Sequence, residues 1–370
     1  MMTKNSYLNE LLGNRKRILV TGGAGFIGGA VIRKLLKEST SKIFNIDKIG
    51  YASDLTSIKE VLKTKDYSDR YKFEKIDLSN SDQINKAIKD SNPDLIMHLA
   101  AESHVDRSIQ GPEAFINSNI FGTFNLLEAT RKHYESLSNK RRHDFRFLHI
   151  STDEVFGSLG LKGFFSESTS YDPRSPYSAS KASSDHLVRS WHHTYQLPIV
   201  ITNCSNNFGP WQFPEKLIPV AINKALALKS IPLYGDGENI RDWLYVDDHV
   251  DALFLAANKG KVGDSYCVGG YGEKKNIEIL KIICKILDEI YPKHSPFERL
   301  ITKVEDRKGH DRRYAIDYSK AQRELGYEPL ETFESGFSKT INWYLENDSW
   351  WKSVMDGTYR DWIDTNYSAR

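Results

Sequence analysis

The chain has 370 residues, 39% hydrophobic and 12% aromatic, which is enough to fill a large core and to exclude general disorder. Its 51 lysines and arginines nearly balance its 49 aspartates and glutamates, and the net charge of +2 argues against a dedicated binder of nucleic acids or anionic membranes. There is no long uninterrupted apolar run, and the segment before Gly13 lacks the apolar stretch of a secretory signal. Three cysteines without metal-ligand spacing are typical of a reducing compartment. We expect a soluble, cytoplasmic protein without a metal site.

Strand and helix patterns alternate through the first two thirds of the chain. Short apolar runs predict strands at Arg17–Val20, Ile43–Ile46, Tyr71–Ile76, Leu95–Leu99, Phe147–Ile150 and Ile199–Thr202. Helical spacing of apolar residues is clearest in Ser118–Arg131 and Ala179–Tyr195, whereas the basic run Lys140–His143 predicts a solvated loop. Because strands joined by helical crossovers pair in parallel, we predict an α/β fold with a doubly wound parallel sheet of Rossmann type.

The pattern changes after residue 205, where proline and glycine become frequent. Helical periodicity returns in Ile277–Ile290 and Phe333–Leu345. We predict a first domain over residues 1–205, rejoined by 242–270. A smaller, partly discontinuous second domain would comprise residues 206–241 and 271–370. It would cap the carboxyl edge of the sheet, where open α/β sheets bind ligands.

A glycine-rich turn separates the first predicted strand from a helical pattern. Gly22, Gly25 and Gly28 have GxxGxxG spacing, which lets the backbone approach a pyrophosphate whose charge the helix N-terminus stabilises. Asp47 ends the second predicted strand, where its carboxylate would accept hydrogen bonds from both ribose hydroxyls and repel a 2′-phosphate. The pattern therefore predicts a dinucleotide site that prefers NAD to NADP. A role for Asp47 as a simple turn residue stays open.

Five residues form a candidate catalytic set. Tyr177 and Lys181 are four residues apart, on one face of a predicted helix, and a nearby lysine together with a nicotinamide cation favours the phenolate that a base requires. Thr152 follows the fifth predicted strand and could hydrogen-bond the reacting oxygen. The adjacent carboxylates of Asp153 and Glu154 could be driven to different pKa values and divide acid and base roles. Simple capping of the next turn is the alternative for this pair.

Several longer motifs point to one family. Besides the glycine-rich turn, the segment Ser151–Gly157 and the Tyr177/Lys181 pair, they are Asn203–Pro210, Phe213–Pro219, Ile240–Trp243, Gly309–Tyr314 and Glu331–Gly336. Together they resemble the extended short-chain dehydrogenase/reductases, and within that family the nucleotide-sugar 4,6-dehydratases that act on dTDP-glucose. The resemblance covers nearly the whole chain from Arg17 onward.

The resemblance implies roles for the catalytic set. Tyr177 would be the base at the C4 hydroxyl of the sugar, supported by Lys181, with Thr152 polarising the same oxygen. Asp153 would protonate the leaving C6 hydroxyl, and Glu154 would remove the C5 proton.

The resemblance also implies NAD as the cofactor, a nucleotide-sugar substrate and a homodimer formed through two long helices, one of them Ala179–Tyr195. The implied cofactor-binding residues are Gly22, Gly25, Phe26, Ile27, Gly28, Asp47, Lys48, Asp77, Leu78, Leu99, Ala100, Ala101, Ser118, Tyr177, Lys181 and Asn207. The implied substrate-binding residues are Ser103, Thr152, Asn206, Lys216, Leu217, Pro232, Tyr234, Arg241, Asn276, Asp306, Arg307 and His310. The guanidinium forks of Arg241 and Arg307 match the oxygens of a diphosphate.

The implied activity is that of a lyase of deoxysugar biosynthesis. It would dehydrate a nucleotide glucose, dTDP-glucose or UDP-glucose, to the 4-keto-6-deoxy sugar. A 4-epimerase or decarboxylase on the same scaffold would need Tyr177 and Lys181 but has no use for the Asp153–Glu154 pair. A non-catalytic NAD-binding sensor is the alternative from another class. Departures from the family pattern at Gly50, Lys308 and Tyr271 leave the choice of nucleotide base open.

Overall fold

The computed structural model describes residues 4–355 except 65, 66 and 68. The extreme ends of the two predicted domains, residues 1–3 and 356–370, lie outside the described residues.

Strands and helices alternate in the first part of the chain, as the sequence predicts. The strands are β1 (Arg17–Thr21), β2 (Lys42–Asp47), β3 (Tyr71–Lys75), β4 (Leu95–His98), β5 (Arg146–Thr152), β6 (Ile199–Cys204), β7 (Asn206–Phe208), β8 (Ile231–Tyr234), β9 (Ile240–Arg241), β10 (Trp243–Tyr245), β11 (Ser265–Val268), β12 (Lys274–Lys275) and β13 (Ile301–Val304).

The α-helices range from one turn to more than five turns. They are α1 (Lys4–Leu12), α2 (Phe26–Glu38), α3 (Thr56–Thr64), α4 (Ser81–Ser91), α5 (Val105–Gln110), α6 (Pro112–Phe115), α7 (Gly122–Ser136), α8 (Asn139–Asp144), α9 (Pro176–Tyr195), α10 (Leu217–Leu226), α11 (Val246–Lys259), α12 (Asn276–Ile290), α13 (Ser319–Leu325), α14 (Phe333–Glu346) and α15 (Asp348–Val354). A π-helical turn, Ile116–Phe121, joins α6 to α7, and 3-10 turns span Asp153–Phe156, Pro292–His294 and Phe297–Leu300.

Seven strands form one parallel sheet in the order β11-β6-β5-β4-β1-β2-β3. The chain winds outward in one direction from β1 to β3 and in the other from β4 to β11, so the direction reverses between β1 and β4. Helical crossovers connect the strands, as parallel pairing requires. The predicted doubly wound, Rossmann-like sheet is confirmed. Its reversal point is where such sheets bind ligands.

Both faces of this sheet are covered. Ile18 and Val20 of β1 pack in one core with Leu35 of α2, and α1 and α11 belong to the same layer. Leu19 points to the opposite face, because side chains alternate along a strand. It packs there with Leu126 of α7, and α4 and α9 complete that layer. Burial on both faces explains why the strands appear in the sequence as continuous apolar runs.

A second core lies beyond the carboxyl edge of the sheet. It is built on α10, α12 and α14, and its residues include Ile222, Leu280, Ile283 and Phe337. Two short parallel pairs, β8 with β13 and β7 with β10, and the antiparallel pair β9 with β12 accompany it. Strand β11 pairs with β6 of the main sheet, as expected if residues 242–270 rejoin the first unit. The exact division into two domains stays a prediction.

No helix in the described part of the chain combines the length and the apolar composition that a membrane span requires.

Candidate active site

A cavity of about 430 Å³ lies between the carboxyl edge of the main sheet and the second core. Its walls include residues at or just after the ends of β1, β2, β4, β5 and β6, namely Gly22, Asp47, Leu99, Thr152 and Cys204. This position, at the reversal of strand order, is where open α/β sheets bind dinucleotides. The cavity is long enough to bring the glycine-rich turn and the candidate catalytic set into one space.

Nearly all residues that the sequence predicts for the site line this cavity. All five candidate catalytic residues and every predicted cofactor-binding residue line it, from Gly22 to Asn207. The predicted substrate-binding residues also line it, with the exception of Asp306. The Asp306 side chain lies outside the lining and instead contacts His310, with 2.6 Å between Asp306 Oδ1 and His310 Nδ1. A direct substrate contact by Asp306 therefore stays a prediction.

The turn between β1 and α2, where a pyrophosphate would approach, requires glycine at two positions. Gly22 has a φ of +74°, and a Cβ atom there would lie 2.6 Å from the backbone of Ala100. At Gly28 a Cβ would lie 2.2 Å from the carbonyl oxygen of Gly22. No side chain caps α2, so its first N–H groups face the cavity with the positive end of the helix dipole. These features fit the diphosphate of a dinucleotide.

Asp47 is fixed by the chain around it. Its Oδ2 accepts a hydrogen bond from the backbone N–H of Ala24 at 3.0 Å. Its Oδ1 accepts from the N–H of Ile49 at 2.8 Å and from the hydroxyl of Ser53 at 3.1 Å. The carboxylate thus has the turn role that the sequence left open, and it lines the cavity as well. Two carboxylate oxygens offer about four lone pairs, so the turn role does not preclude binding of a ribose diol.

Replacing Asp47 tests this double role. In Asp47→Ala we expect NAD to bind roughly ten-fold more weakly or worse, because hydrogen bonds to a charged acceptor are lost. The preference for NAD over NADP should also become smaller, because the repulsion of a 2′-phosphate disappears. Equilibrium binding of both cofactors to cofactor-free protein measures both effects. An unchanged preference would show that Asp47 is not the ribose ligand.

Tyr177 and Lys181 are presented by the first two turns of α9. The sequence starts this helix firmly: Ser175 Oγ accepts from the N–H of Ser178, Ser178 Oγ accepts from the N–H of Ser175, and Pro176 occupies the first turn. Both side chains are buried, with exposed fractions of 8% for Tyr177 and 4% for Lys181. Lys181 Nζ donates to the carbonyl oxygen of Ile150 at 2.8 Å. The ammonium is therefore anchored on β5.

The pKa of Tyr177 in the structure differs from the lowered value that the sequence predicts. Burial raises the pKa of Tyr177 well above its usual value, and the nearby Glu154 and Cys204 add to the increase in pKa. Burial also lowers the pKa of Lys181. In the protein by itself, the lysine therefore does not outweigh desolvation of the phenol. The positive charge of an oxidised nicotinamide is the second cation expected to favour the phenolate.

Asp153 and Glu154 follow β5 in a single 3-10 turn. Thr152 caps that turn, since its Oγ1 accepts from the backbone N–H of Glu154 at 3.3 Å. The capping role considered for the two carboxylates is thus carried out by Thr152. Both acidic side chains face the cavity together with Tyr177.

The two carboxyl groups are in different environments. Asp153 is 1% exposed, and its Oδ2 has no hydrogen-bond partner among the described residues. Burial raises the pKa of Asp153 well above its usual value, and Glu154 and Asp242 raise that pKa further. Burial raises the pKa of Glu154 as well. Three cations oppose this second shift in pKa, namely Lys216, Arg241 and Arg307. Burial therefore favours the protonated form of both carboxyl groups, and the three cations stabilise the ionised form of Glu154 against this effect.

Cationic side chains surround the end of the cavity that is remote from the glycine-rich turn. Arg241 stacks over the ring of Tyr314 at 4.2 Å and donates to the carbonyl oxygen of Asp311 at 3.0 Å. Lys216 Nζ donates to the carbonyl oxygen of Ser103 at 2.9 Å. Such fixed cations match the charge of a diphosphate.

Several cavity residues were missed at the sequence level. They include Tyr51, His104, Glu215, Asp311 and Tyr314. Glu215 is the most unusual, because it is 5% exposed and burial raises its pKa. Glu215 and Tyr314 lie inside motifs that carried the family resemblance, so a closer look at those motifs could have found them. Within the described part of the chain, no group of three or more potential metal ligands occurs.

Comparisons with known proteins agree with this geometry. The family model described as GDP-mannose 4,6 dehydratase matches residues 19–340. The dTDP-glucose 4,6-dehydratase of Salmonella typhimurium is 53% identical over 363 residues, covering 96% of this chain and 99% of that protein. The chain belongs to the dTDP-glucose 4,6-dehydratase family. This confirms the resemblance seen in the motifs.

Solved structures of other dTDP-glucose 4,6-dehydratases have the same fold. The enzyme from Streptomyces venezuelae, in a double mutant form with NAD bound, is 38% identical with a TM-score of 0.83, covering 91% of this chain and 99% of that chain. The enzyme from Bacillus anthracis, also with NAD, is 41% identical with a TM-score of 0.80 and the same coverage. The cofactor of these dehydratases is the one that the glycine-rich turn and Asp47 predict here.

Proposed function

We propose that this protein is an NAD-dependent lyase that dehydrates dTDP-glucose to dTDP-4-keto-6-deoxyglucose. The observation that carries the proposal is the Asp153–Glu154 pair, which lines the same cavity as Tyr177. Burial raises the pKa of both carboxyl groups, and the cations Lys216, Arg241 and Arg307 oppose this increase at Glu154. The named function of the relatives, over nearly the whole of both chains, supports the proposal.

NAD fits the residues that line one end of the cavity. Gly22 and Gly28 let the turn pack closely against neighbouring backbone, and the first residues of α2 line the cavity, where the N-terminus of the helix would stabilise a pyrophosphate. Asp47 lines the same end of the cavity and would bind a ribose diol. When bound, NAD takes up a hydride equivalent from C4 of the glucose and returns it at C6, so no external reductant is consumed. The protein's own side chains handle the protons.

The first proton is that of the C4 hydroxyl. Tyr177 takes this proton as the C4–H bond is oxidised, and Thr152 hydrogen-bonds the same oxygen. Lys181 supports the phenolate through its charge and is held in place by the carbonyl of Ile150. The result is a ketone at C4.

The ketone makes the C5 proton acidic, which direct dehydration of glucose could not do. Glu154 takes this proton, and Asp153 donates a proton to the C6 hydroxyl so that it leaves as water. The C5–H and C6–O bonds break, and a C5–C6 double bond forms. One carboxyl group that accepts a proton and one that donates a proton can perform these opposite transfers in one step. When the hydride returns to C6 the double bond is consumed, and Glu154 gives a proton back to C5, which completes the 4-keto-6-deoxy product. An epimerase or decarboxylase would not use this pair.

Parallel assays with dTDP-glucose, UDP-glucose and GDP-mannose test the proposed function. We expect the purified protein to form a 4-keto-6-deoxy product from dTDP-glucose, with slower turnover of UDP-glucose and none of GDP-mannose. Preferred turnover of GDP-mannose would overturn the substrate assignment. If all three remain unchanged, the protein is a non-catalytic member of its family.

A homodimer is part of the proposal. Helices α7 and α9 lie side by side, and the π-helical turn before α7 adds to the same surface. The aromatic side chains of Phe121, Phe124 and Tyr195 are 55%, 40% and 44% exposed. Exposed aromatic clusters of this kind favour association. Sedimentation equilibrium should give the mass of two chains, and a monomer at micromolar concentration would contradict the dimer.

A cytoplasmic location belongs to the same proposal. The three cysteines are free and buried, as expected for a protein that folds in a reducing compartment. Fractionation of cells that express the protein would measure this, and recovery outside the cytoplasm would contradict it.

A further inference from the structure

Residues 102–107, which comprise the end of the loop after β4 and the first turn of α5, contact both ends of the cavity. On the cofactor side, Glu102 forms an ion pair with Lys48 at 2.5 Å. Arg107 stacks over the ring of Tyr51 at 3.7 Å. On the other side, the carbonyl oxygen of Ser103 accepts from Lys216. The segment is therefore a structural link between the two parts of the site.

Asp106 provides the strongest contact of this segment with the nucleotide-sugar end. It lies in the first turn of α5 and is 1% exposed. Its Oδ1 accepts from Arg307 Nε at 2.6 Å, and its Oδ2 accepts from Arg307 Nη2 at 2.9 Å. The hydroxyl of Tyr234 donates to the same Oδ2 at 3.2 Å. These partners lie 201 and 128 positions away in the sequence.

Arg307 and Tyr234 line the cavity, whereas Asp106 does not. The guanidinium of Arg307 also stacks over the ring of Tyr234, with 5.2 Å between its central carbon and the ring centroid. The Asp106 carboxylate therefore holds both the guanidinium and the ring on which it stacks. A guanidinium carries five N–H donors, and a fork to one carboxylate uses only one edge of it. The arrangement orients a cation toward the cavity without placing the carboxylate in it.

We propose that Asp106 is a positioning residue for the diphosphate of the nucleotide sugar, acting through Arg307. This proposal rests on the proposed function. A long arginine side chain that is ordered before binding loses less conformational entropy when it meets its ligand. The buried carboxylate therefore increases affinity for the diphosphate, and it has no part in the proton transfers at C4, C5 and C6.

The variant Asp106→Asn keeps the shape of the side chain but removes the charge and one acceptor. We expect the KM for dTDP-glucose to rise about ten-fold or more, because charge-assisted hydrogen bonds that orient Arg307 are lost. The value of kcat should stay within about three-fold, because the reacting atoms are not touched. The amount of NAD that copurifies should not change. A parental KM, or a loss confined to kcat, would overturn the proposal.

Asp236 offers a matched control in the same part of the fold. It also pairs with an arginine, Arg312, at 3.2 Å, but both side chains are at least half exposed. Asp236→Asn should leave KM at the parental value, since exposed ion pairs contribute little. An equal rise of KM in both variants would show a nonspecific effect of lost charge and would contradict the role of Asp106.

Two further measurements separate positioning from a purely structural role. If Asp106 acts through Arg307, the double variant Asp106→Asn with Arg307→Met should bind no more weakly than Arg307→Met alone. Additive losses would overturn the proposal.

Asp106→Glu restores the charge and should give a KM between those of the parent and Asp106→Asn. A KM equal to or above that of Asp106→Asn would contradict it, and this variant also serves if the asparagine variant does not fold.

Binding of dTDP and of thymidine by calorimetry needs no turnover. Asp106→Asn should weaken dTDP about ten-fold or more and leave thymidine within about two-fold, because only dTDP carries the diphosphate. Equal losses for both ligands would overturn the proposal. If the parent binds dTDP but makes no product from dTDP-glucose, the proposed function fails while the role of Asp106 is still decided by these affinities.

Discussion

Replacing Glu154 with glutamine will leave oxidation at C4 intact and stop the reaction before water is lost. The variant keeps nearly the same shape but cannot accept the C5 proton. We expect product formation to fall by roughly a hundred-fold or more, the usual effect of losing a general base. Mixed with dTDP-glucose, the protein should accumulate reduced nicotinamide, which is measured by its absorbance. Exchange of solvent deuterium into C5 should slow to the same extent.

Tyr177→Phe is the matched control for this prediction, because it removes the proton acceptor of the first step instead of the second. It should give neither product nor reduced nicotinamide. The order of the two steps would be wrong if Glu154→Gln formed product at the parental rate. The division of roles between the two residues would also be wrong if Tyr177→Phe still reduced NAD normally.

Replacing Gly22 with alanine should abolish stable binding of NAD. The new Cβ would lie 2.6 Å from the backbone of Ala100, and backbone cannot move aside as a flexible side chain can. The φ of +74° adds roughly 1–2 kcal/mol of strain for a residue with a Cβ. We expect the purified variant to carry little or no NAD, which extraction and quantification of the bound cofactor would measure.

Gly160→Ala is the control for this substitution, because a Cβ at Gly160 has no atom within 4 Å and Gly160 has no left-handed backbone. It should carry the parental amount of NAD. The steric account of the turn would be wrong if Gly22→Ala retained the cofactor to the same extent as Gly160→Ala.

The sheet was predictable from sequence because its strands are buried on both faces. Apolar runs then mark each strand directly, and the predicted bounds differ from β1, β4 and β6 by no more than two residues at either end. The π-helical turn at Ile116–Phe121 was not predictable. It overlaps the start of the helix expected over Ser118–Arg131, and apolar spacing over so short a stretch does not distinguish a π turn from an α turn.

The basic run at 140–143 shows a second limit of sequence analysis. The sequence predicted a solvated loop there, but residues Asn139–Asp144 form α8. Arg141 donates to the carboxylate of Asp94 and to the backbone carbonyl oxygen of Asn92. The prediction of a loop was wrong because partners 47 to 49 positions away stabilise the segment, and local composition does not contain them.

Some residues of the candidate site could be predicted from the sequence, and others could not. Residues within continuous motifs, such as Thr152, Tyr177 and Lys181, were found by spacing and resemblance. The fork between Asp106 and Arg307 was not, because it joins two segments that meet only in the folded chain. The raised pKa of Asp153 depends on burial, on the adjacent Glu154 and on Asp242, which lies between β9 and β10. Such effects require coordinates, since burial and distant neighbours are properties of the fold.

The proposed reaction requires the protein to oxidise C4 and to return the same hydrogen to C6 within one turnover. Conversion of dTDP-glucose carrying deuterium at C4, with the product examined by NMR, tests this requirement. The deuterium of each substrate molecule should appear in the C6 methyl group of the product. Deuterium that remains at C4 or is lost to solvent would contradict it.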